Sequence, residues 1–272
     1  MSVPTDTTHG RAPTLHHMTD PGPDPRPAPR SFAEAGVVEL RRYTLRPGAL
    51  PDLLELFETH LVAAQEEQGM LVGGVFEDVE QPDRFVWWRA FTDLESRHRA
   101  LVGFYGGAVW AEHSRRANAT MIDSDDVLML RHTAPPRPGP PARSLTTVHD
   151  DAVAVLICRG PDVRDAEARL TAETRRWLES VLGVEVATWR TEPAPNSFPG
   201  LPVRTEPAFV YAATFADAAE RDAALTALRA EPGWTRWLKE TTSEHSWELE
   251  ILRLRPLTVS KHPAPRRPMF EA

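Results

Sequence analysis

The chain has 272 residues, 41% of them hydrophobic and 26% charged, with 31 Lys and Arg against 39 Asp and Glu, giving a net charge of −8. At roughly 100–150 residues per domain this length predicts two domains, and an acidic balance with no basic run excludes nucleic acid as the main partner. No stretch reaches the roughly 18–20 apolar residues of a membrane span, and the start has no charged region followed by an apolar core, so the expected setting is the cytoplasm without a membrane partner. The single cysteine, Cys158, follows the apolar run Val153–Ile157 and reads as a buried, inert thiol.

Residues 1–35 read as a disordered tail, because proline-rich Pro21–Pro29 has no hydrophobic period and too little apolar surface to offset the entropy of ordering. The first domain is expected over 36–133. It opens with an alternating strand, Val37–Leu45, and a turn at Pro47-Gly48. Leu50, Leu53, Leu54, Phe57 and Leu61 then mark an amphipathic helix that Gly69 ends. Two strands near Met70–Glu77 and Phe85–Phe91 are joined by a turn containing Gln81-Pro82-Asp83. Thr92 or Asp93 caps a second helix, which is interrupted at Gly103 and at Gly106-Gly107 and resumes around Trp110–Ala117. A last strand runs near Asp126–Arg131, after a solvated turn at Asp123–Asp126.

A proline-rich segment over 134–149 reads as a semi-rigid linker, and a second domain, 150–256, repeats the first; 257–272 reads as a loose tail. The repeat is gap-free at an offset of 124: Phe85-Val86-Trp87-Trp88-Arg89-Ala90-Phe91 returns as Phe209-Val210-Tyr211-Ala212-Ala213-Thr214-Phe215, with Arg97, Leu101 and Trp110 returning as Arg221, Leu225 and Trp234. Upstream the offset is 114, matching Gly69 to Gly183, the difference being a longer loop around Pro193–Pro207 in the second copy. The order in each copy is β-α-β-β-α-β, the ferredoxin-like unit. The fold class is therefore α+β: two tandem ferredoxin-like units whose open sheets cover one another as an intrachain α/β barrel.

Glu39-Leu40-Arg41-Arg42-Tyr43-Thr44-Leu45-Arg46-Pro47-Gly48, the Phe85–Phe91 strand and Phe104-Tyr105-Gly106-Gly107-Ala108-Val109-Trp110 resemble motifs of the NIPSNAP family. The resemblance covers about 37–132 directly and 150–256 only through the repeat. It implies the dimeric α/β-barrel superfamily, which includes cofactor-free monooxygenases, isomerases, haem enzymes and proteins without known catalysis. It is a statement about scaffold rather than chemistry.

Positions that are polar in one copy and apolar in the other do something the fold does not require. At an offset of 114, Glu39, Arg41 and Tyr43 become Val153, Val155 and Ile157; at 124, Arg89 becomes Ala213, Tyr105 becomes Arg229, His113 becomes Trp237 and Asn118 becomes Thr242. A charged face is a poor surface for helix packing, which places Glu39, Arg41, Tyr43, Trp87 and Arg89 on the barrel lumen. There Arg41 and Arg89 anchor an anion beside the flat walls of Trp87, Tyr105 and Trp110, with Asn118 as a further polar contact. Glu39, Tyr43 or His113 moves a proton. The expected ligand is a small apolar, aromatic or anionic metabolite, for oxygenation, isomerisation or cyclisation without a cofactor or metal; G-x-S-x-G, C-x-x-C, P-loop and dinucleotide patterns are all absent from the sequence. The alternatives are a Glu39–Arg41–Arg89 network that only holds the halves in register, and a non-catalytic binding or assembly module. Sheet edges or domain exchange between chains offer a route to a homodimer.

Overall fold

A computed structural model describes residues 27–133, 151–161, 172–244 and 246–257. The first half runs β1 (Val37–Leu45), α1 (Leu50–Leu56), a π-turn (Phe57–Leu61), α2 (Val62–Glu67), β2 (Leu71–Asp78), β3 (Gln81–Phe91), α3 (Leu94–Tyr105), α4 (Ala108–Thr120) and β4 (Met121–His132). The second runs β5 (Ala152–Arg159), α5 (Ala172–Leu182), β6 (Val186–Thr191), β7 (Ala208–Phe215), α6 (Ala218–Ala230), α7 (Pro232–Lys239), a π-turn (Glu240–Glu244) and β8 (Glu248–Pro256). The predicted linker and most of both predicted tails lie outside the described residues.

Local chemistry repeats along with the order. Asp93 and Asp217 each N-cap the helix that follows, accepting from Ser96 N–H at 2.7 Å and Glu220 N–H at 2.8 Å. Gly69 and Gly183 both adopt positive φ, 84° and 74°, where a helix gives way to a strand.

Eight antiparallel strands close in the order β1-β3-β2-β8-β5-β7-β6-β4. Each half contributes one four-stranded ferredoxin-like sheet. The seams are β2–β8, with Glu77 opposite Arg255, and β4–β6, with Arg131 opposite Arg190. The halves therefore pair within one chain. Closure gives every described strand a neighbour on both sides, and each seam spans three residue pairs.

Both faces of the ring are buried. One apolar cluster draws on strands of both halves and lines the interior: Val38, Leu40, Val86, Trp88, Leu128 and Leu130 against Val153, Val155, Ile157, Trp189, Val210 and Leu252. Trp88 and Trp189 meet inside it with ring centroids 5.3 Å apart. Two further clusters lie outside the ring, each between one sheet and its own helices.

Three expectations change. The predicted 1–35 tail is ordered near its end: Phe32–Glu34 forms a 3₁₀ turn and Phe32, fully buried, plugs the barrel interior. A single large aromatic ring supplies the apolar area that the proline-rich stretch lacks. The β2–β3 turn falls at Val79-Glu80, so Gln81-Pro82-Asp83 begins β3. β4 begins at Met121, and Asp126, predicted as part of a solvated turn, is buried on Arg42 at 2.6 Å.

Candidate functional site

The main correction concerns which face of β1 carries the polar residues. Glu39 pairs with Arg89, whereas Ala213, the counterpart of Arg89, pairs with Ala154. The β1–β5 offset is thus 115, and the counterparts of Glu39, Arg41 and Tyr43 are Ala154, Leu156 and Cys158. A one-residue slip moves a strand's whole set of side chains to the other face. The predicted lumen residues Glu39, Arg41, Tyr43, Trp87 and Arg89 lie instead between the first sheet and α1–α4, while apolar side chains line the lumen. The offset of 114 holds from Gly69 and Gly183 as far as Val72 and Val186, which pair with Arg89 and Ala213. The first half has one residue more between its strand and that glycine, and a π-turn, which takes in one residue more than an α-turn, lies in that interval.

Burying charge against helices costs free energy unless partners come with it, and here the helices supply them. Glu39 is the hub. Its Oε2 accepts from Arg41 Nη1 at 2.6 Å and from Arg89 Nε at 2.7 Å, and its Oε1 accepts from Arg97 Nε on α3 at 2.6 Å. Arg89 Nη1 also donates to Gln65 Oε1 on α2 at 3.2 Å, and Arg41 Nε donates to the Tyr43 hydroxyl at 2.8 Å. Glu39, Arg41, Arg89 and Arg97 are all fully buried.

Burial alone would raise the Glu39 carboxyl, but Arg89, Arg97 and Arg41 together hold it well below the usual carboxylate range. Burial raises the Tyr43 phenol against the opposing pull of Arg41. Burial lowers the Arg97 guanidinium, with the like charges of Arg89 and Arg41 adding to the effect.

The cluster is walled by rings. Arg41 lies over Tyr43 and Trp87, with its guanidinium carbon 5.4 and 5.5 Å from their centroids, and Arg89 lies over Trp87 at 5.4 Å. Phe57, from the π-turn, meets Trp87 edge-on at 4.8 Å. Tyr105 and Trp110, both half-buried, pack edge-on at 4.9 Å and lie against the cluster that holds Tyr43 and Trp87. The structure thus brings Glu39, Arg41, Tyr43, Trp87, Arg89, Tyr105 and Trp110 to one layer.

Two predicted residues stand apart from the hub. His113 stacks on His60 at 4.1 Å between α4 and the π-turn. Asn118 uses its backbone carbonyl to cap α4, accepting from Met121 N–H. The Gly106-Gly107 break is an inter-helix turn with no room for side chains: a Cβ at either glycine would lie 2.9 Å from a carbonyl oxygen of the preceding turn.

Sequence reasoning missed Gln65 and Arg97 as site residues, and with them Asn196, Ser197 and Phe198 from the second half. The signal for the first two was present. Arg97 stands on the apolar stripe Leu94–Leu101–Phe104, and Gln65 follows Leu61 by four residues on the stripe of its own helix. A polar residue on an apolar stripe marks a buried polar partner.

Three buried donors in this layer have no hydrogen-bond partner: Arg89 Nη2, Arg97 Nη2 and Trp87 Nε1. Among the described residues no group of three or more His, Cys, Asp or Glu is placed to hold a metal, and no helix is long and apolar enough to cross a membrane. Cys158 is buried on the equivalent face of the second half, and burial pushes its thiol up to about 12.

Residues 38–135 match the family model described as NIPSNAP. No curated protein matches the chain. Among solved structures, a candidate monooxygenase from Fusobacterium nucleatum is similar at 9% identity and a TM-score of 0.53, over 88% of this chain and 97% of its own. An anthrone oxidase-like protein is similar at 10% identity and a TM-score of 0.51, over 84% and 94%. A NIPSNAP-like domain protein from Burkholderia xenovorans shares 25% identity over 39% of this chain and 91% of its own, with a TM-score of 0.35.

Proposed function

We propose that the first half, a NIPSNAP domain, binds the anion of a small aromatic or apolar metabolite between its sheet and its helices and stabilises that anion for reaction. One observation carries this reading: three buried guanidiniums face a single buried carboxylate, and two of them retain an unpartnered Nη2. Each uncompensated buried cation costs on the order of several kcal/mol. A carboxylate, enolate or phenolate from a ligand offsets that cost and satisfies both orphan donors. The rings of Trp87, Tyr43, Tyr105 and Trp110 suit a flat apolar body.

An enol or phenol held against these cations ionises below its solution pKa. That ionisation starts cofactor-independent oxygenation, isomerisation and cyclisation alike. Arg41, Arg89 and Arg97 stabilise the anion, and Tyr43, with Tyr105 beside it, relays the proton. His113, paired with His60, is a candidate acceptor further along α4. Oxygenation is the first activity to test, since two structures of the same fold are named a candidate monooxygenase and an anthrone oxidase-like protein, although likeness at 9–10% identity is likeness of fold.

A second reading, binding without catalysis, draws on Glu39. A carboxylate engaged by three guanidiniums is a poor base, so its role is to hold the arginines rather than to move a proton.

The test uses 2-naphthol as a probe whose ionisation is read by absorbance. Its apparent pKa falls on binding, and the fall disappears in Arg89→Leu. A probe that binds with unchanged pKa, or with a shift indifferent to Arg89, refutes anion stabilisation. Oxygen uptake with anthrone, measured on wild type and Arg89→Leu, then separates enzyme from binder.

A further inference from the structure

We infer that the second half supplies the specificity-determining wall of the first-half site, through the loop between β6 and β7, and that Phe198 selects flat aromatic ligands. The inference rests on the anion-binding reading above. The second half has an apolar sheet–helix layer of its own, built from Ala154, Leu156, Cys158, Tyr211 and Ala213. Its longer loop crosses to the other half.

Backbone bonds to β4 anchor the loop at both ends, Glu192 N–H donating to Met129 O and Arg204 N–H to Val127 O, each at 2.8 Å. Asn196 shapes the turn between them. Its Oδ1 accepts from Phe198 N–H at 3.0 Å and its Nδ2 donates to Leu201 O at 2.8 Å. Phe198 and Leu201 are buried in the first-half core, where the Phe198 ring stacks on Tyr105 with centroids 5.8 Å apart and planes 19° from parallel.

Arg97 ties this loop to the charged hub. Its Nε holds Glu39, its Nη1 donates to Asn196 Oδ1 at 2.9 Å and Ser197 Oγ at 3.0 Å, and its Nη2 is the orphan donor. The repeat counterpart, Arg221, is used inside its own half, on Asp222 and on the Leu254 carbonyl. One guanidinium therefore bears both the loop and a free donor. A ligand that engages Arg97 and the position of Phe198 are linked, each biasing the other.

The experiment measures binding of 2-naphthoate and hexanoate to the full chain as wild type, Phe198→Ala, Phe198→Leu and Arg89→Leu. Phe198→Ala weakens 2-naphthoate about tenfold and hexanoate by much less, the size expected from losing a stacked ring with its contact area. Phe198→Leu, which keeps an apolar side chain in the loop, moves the same ratio in the same direction by about threefold. If 2-naphthoate binding depends on Arg89 but falls no more than hexanoate binding in the Phe198 variants, the inference is overturned and the anion site stands. If neither probe shows Arg89-dependent binding, the anion-site reading fails and takes the inference with it.

Discussion

Replacing Glu39 with glutamine tests the logic of the buried hub most directly. The substitution keeps the shape and removes the carboxylate that contacts three buried guanidiniums at 2.6–2.7 Å. Hydrogen bonds to charged groups contribute about 1.5–3 kcal/mol each, and glutamine retains weaker versions of some of them. Removing one partner of a buried ion pair costs about 3–5 kcal/mol because the remaining charge stays buried. We therefore expect Glu39→Gln to destabilise the chain by about 4 kcal/mol, a large share of a typical stability of about 5–15 kcal/mol. The assay is equilibrium urea unfolding followed by tryptophan fluorescence, with the slope checked for constancy.

The pH dependence gives a second readout. The folded pKa of Glu39 is depressed below its ordinary value of 4.5, so its contribution is fully present above that value and is lost as pH falls toward the much lower folded value. Wild type loses this stability in acid, and Glu39→Gln lacks that component. A loss under about 1 kcal/mol, with an unchanged acid limb, would show that the three arginines do not depend on Glu39 and would remove the charge imbalance as a basis for function.

Two further substitutions probe the barrel and the second half. A Cβ at Gly73 would lie 2.8 Å from the Phe32 ring and 3.2 Å from Trp88 Cβ, so Gly73→Ala is expected to cost about 1–3 kcal/mol by overpacking. Phe32→Ala, by emptying the plug, costs about 3–5 kcal/mol. In the double variant the Gly73 penalty largely disappears; additive costs in denaturant titrations would mean that Phe32 does not occupy the interior. Cys158, with its thiol pushed up to about 12 by burial, should resist a thiol-specific disulfide reagent at pH 8 until the chain unfolds. Rapid labelling of the native protein would contradict its burial.

Much of the architecture was legible in the chain alone. The span of β1, a helix cap at Thr92 or Asp93, the paired glycines and the repeated order follow from local chemistry and period, which need no knowledge of partners. The asymmetry between the halves was legible too, since Arg89 against Ala213 is a comparison of residues at matched positions. Burial of Cys158 is legible from the apolar run that precedes it.

Only the tertiary structure decided which way the charged face points, and the reason lies in β1. A half-buried strand alternates between polar and apolar residues, and its pattern names its inner face. In β1 eight of nine residues are buried, because the barrel interior lies on one side and a helical layer on the other. Alternation then carries no sign. The rule that helices avoid charge also failed, since Arg97, 58 residues from Glu39, and Gln65, 24 residues from Arg89, bring hydrogen-bonding partners into the helical layer. The wall from Asn196–Phe198 was beyond sequence reasoning for a related reason: a loop reaches the other half only once the ring has closed. Chain order and local period determined the two units; closure of the barrel determined that their polar residues meet beneath the helices.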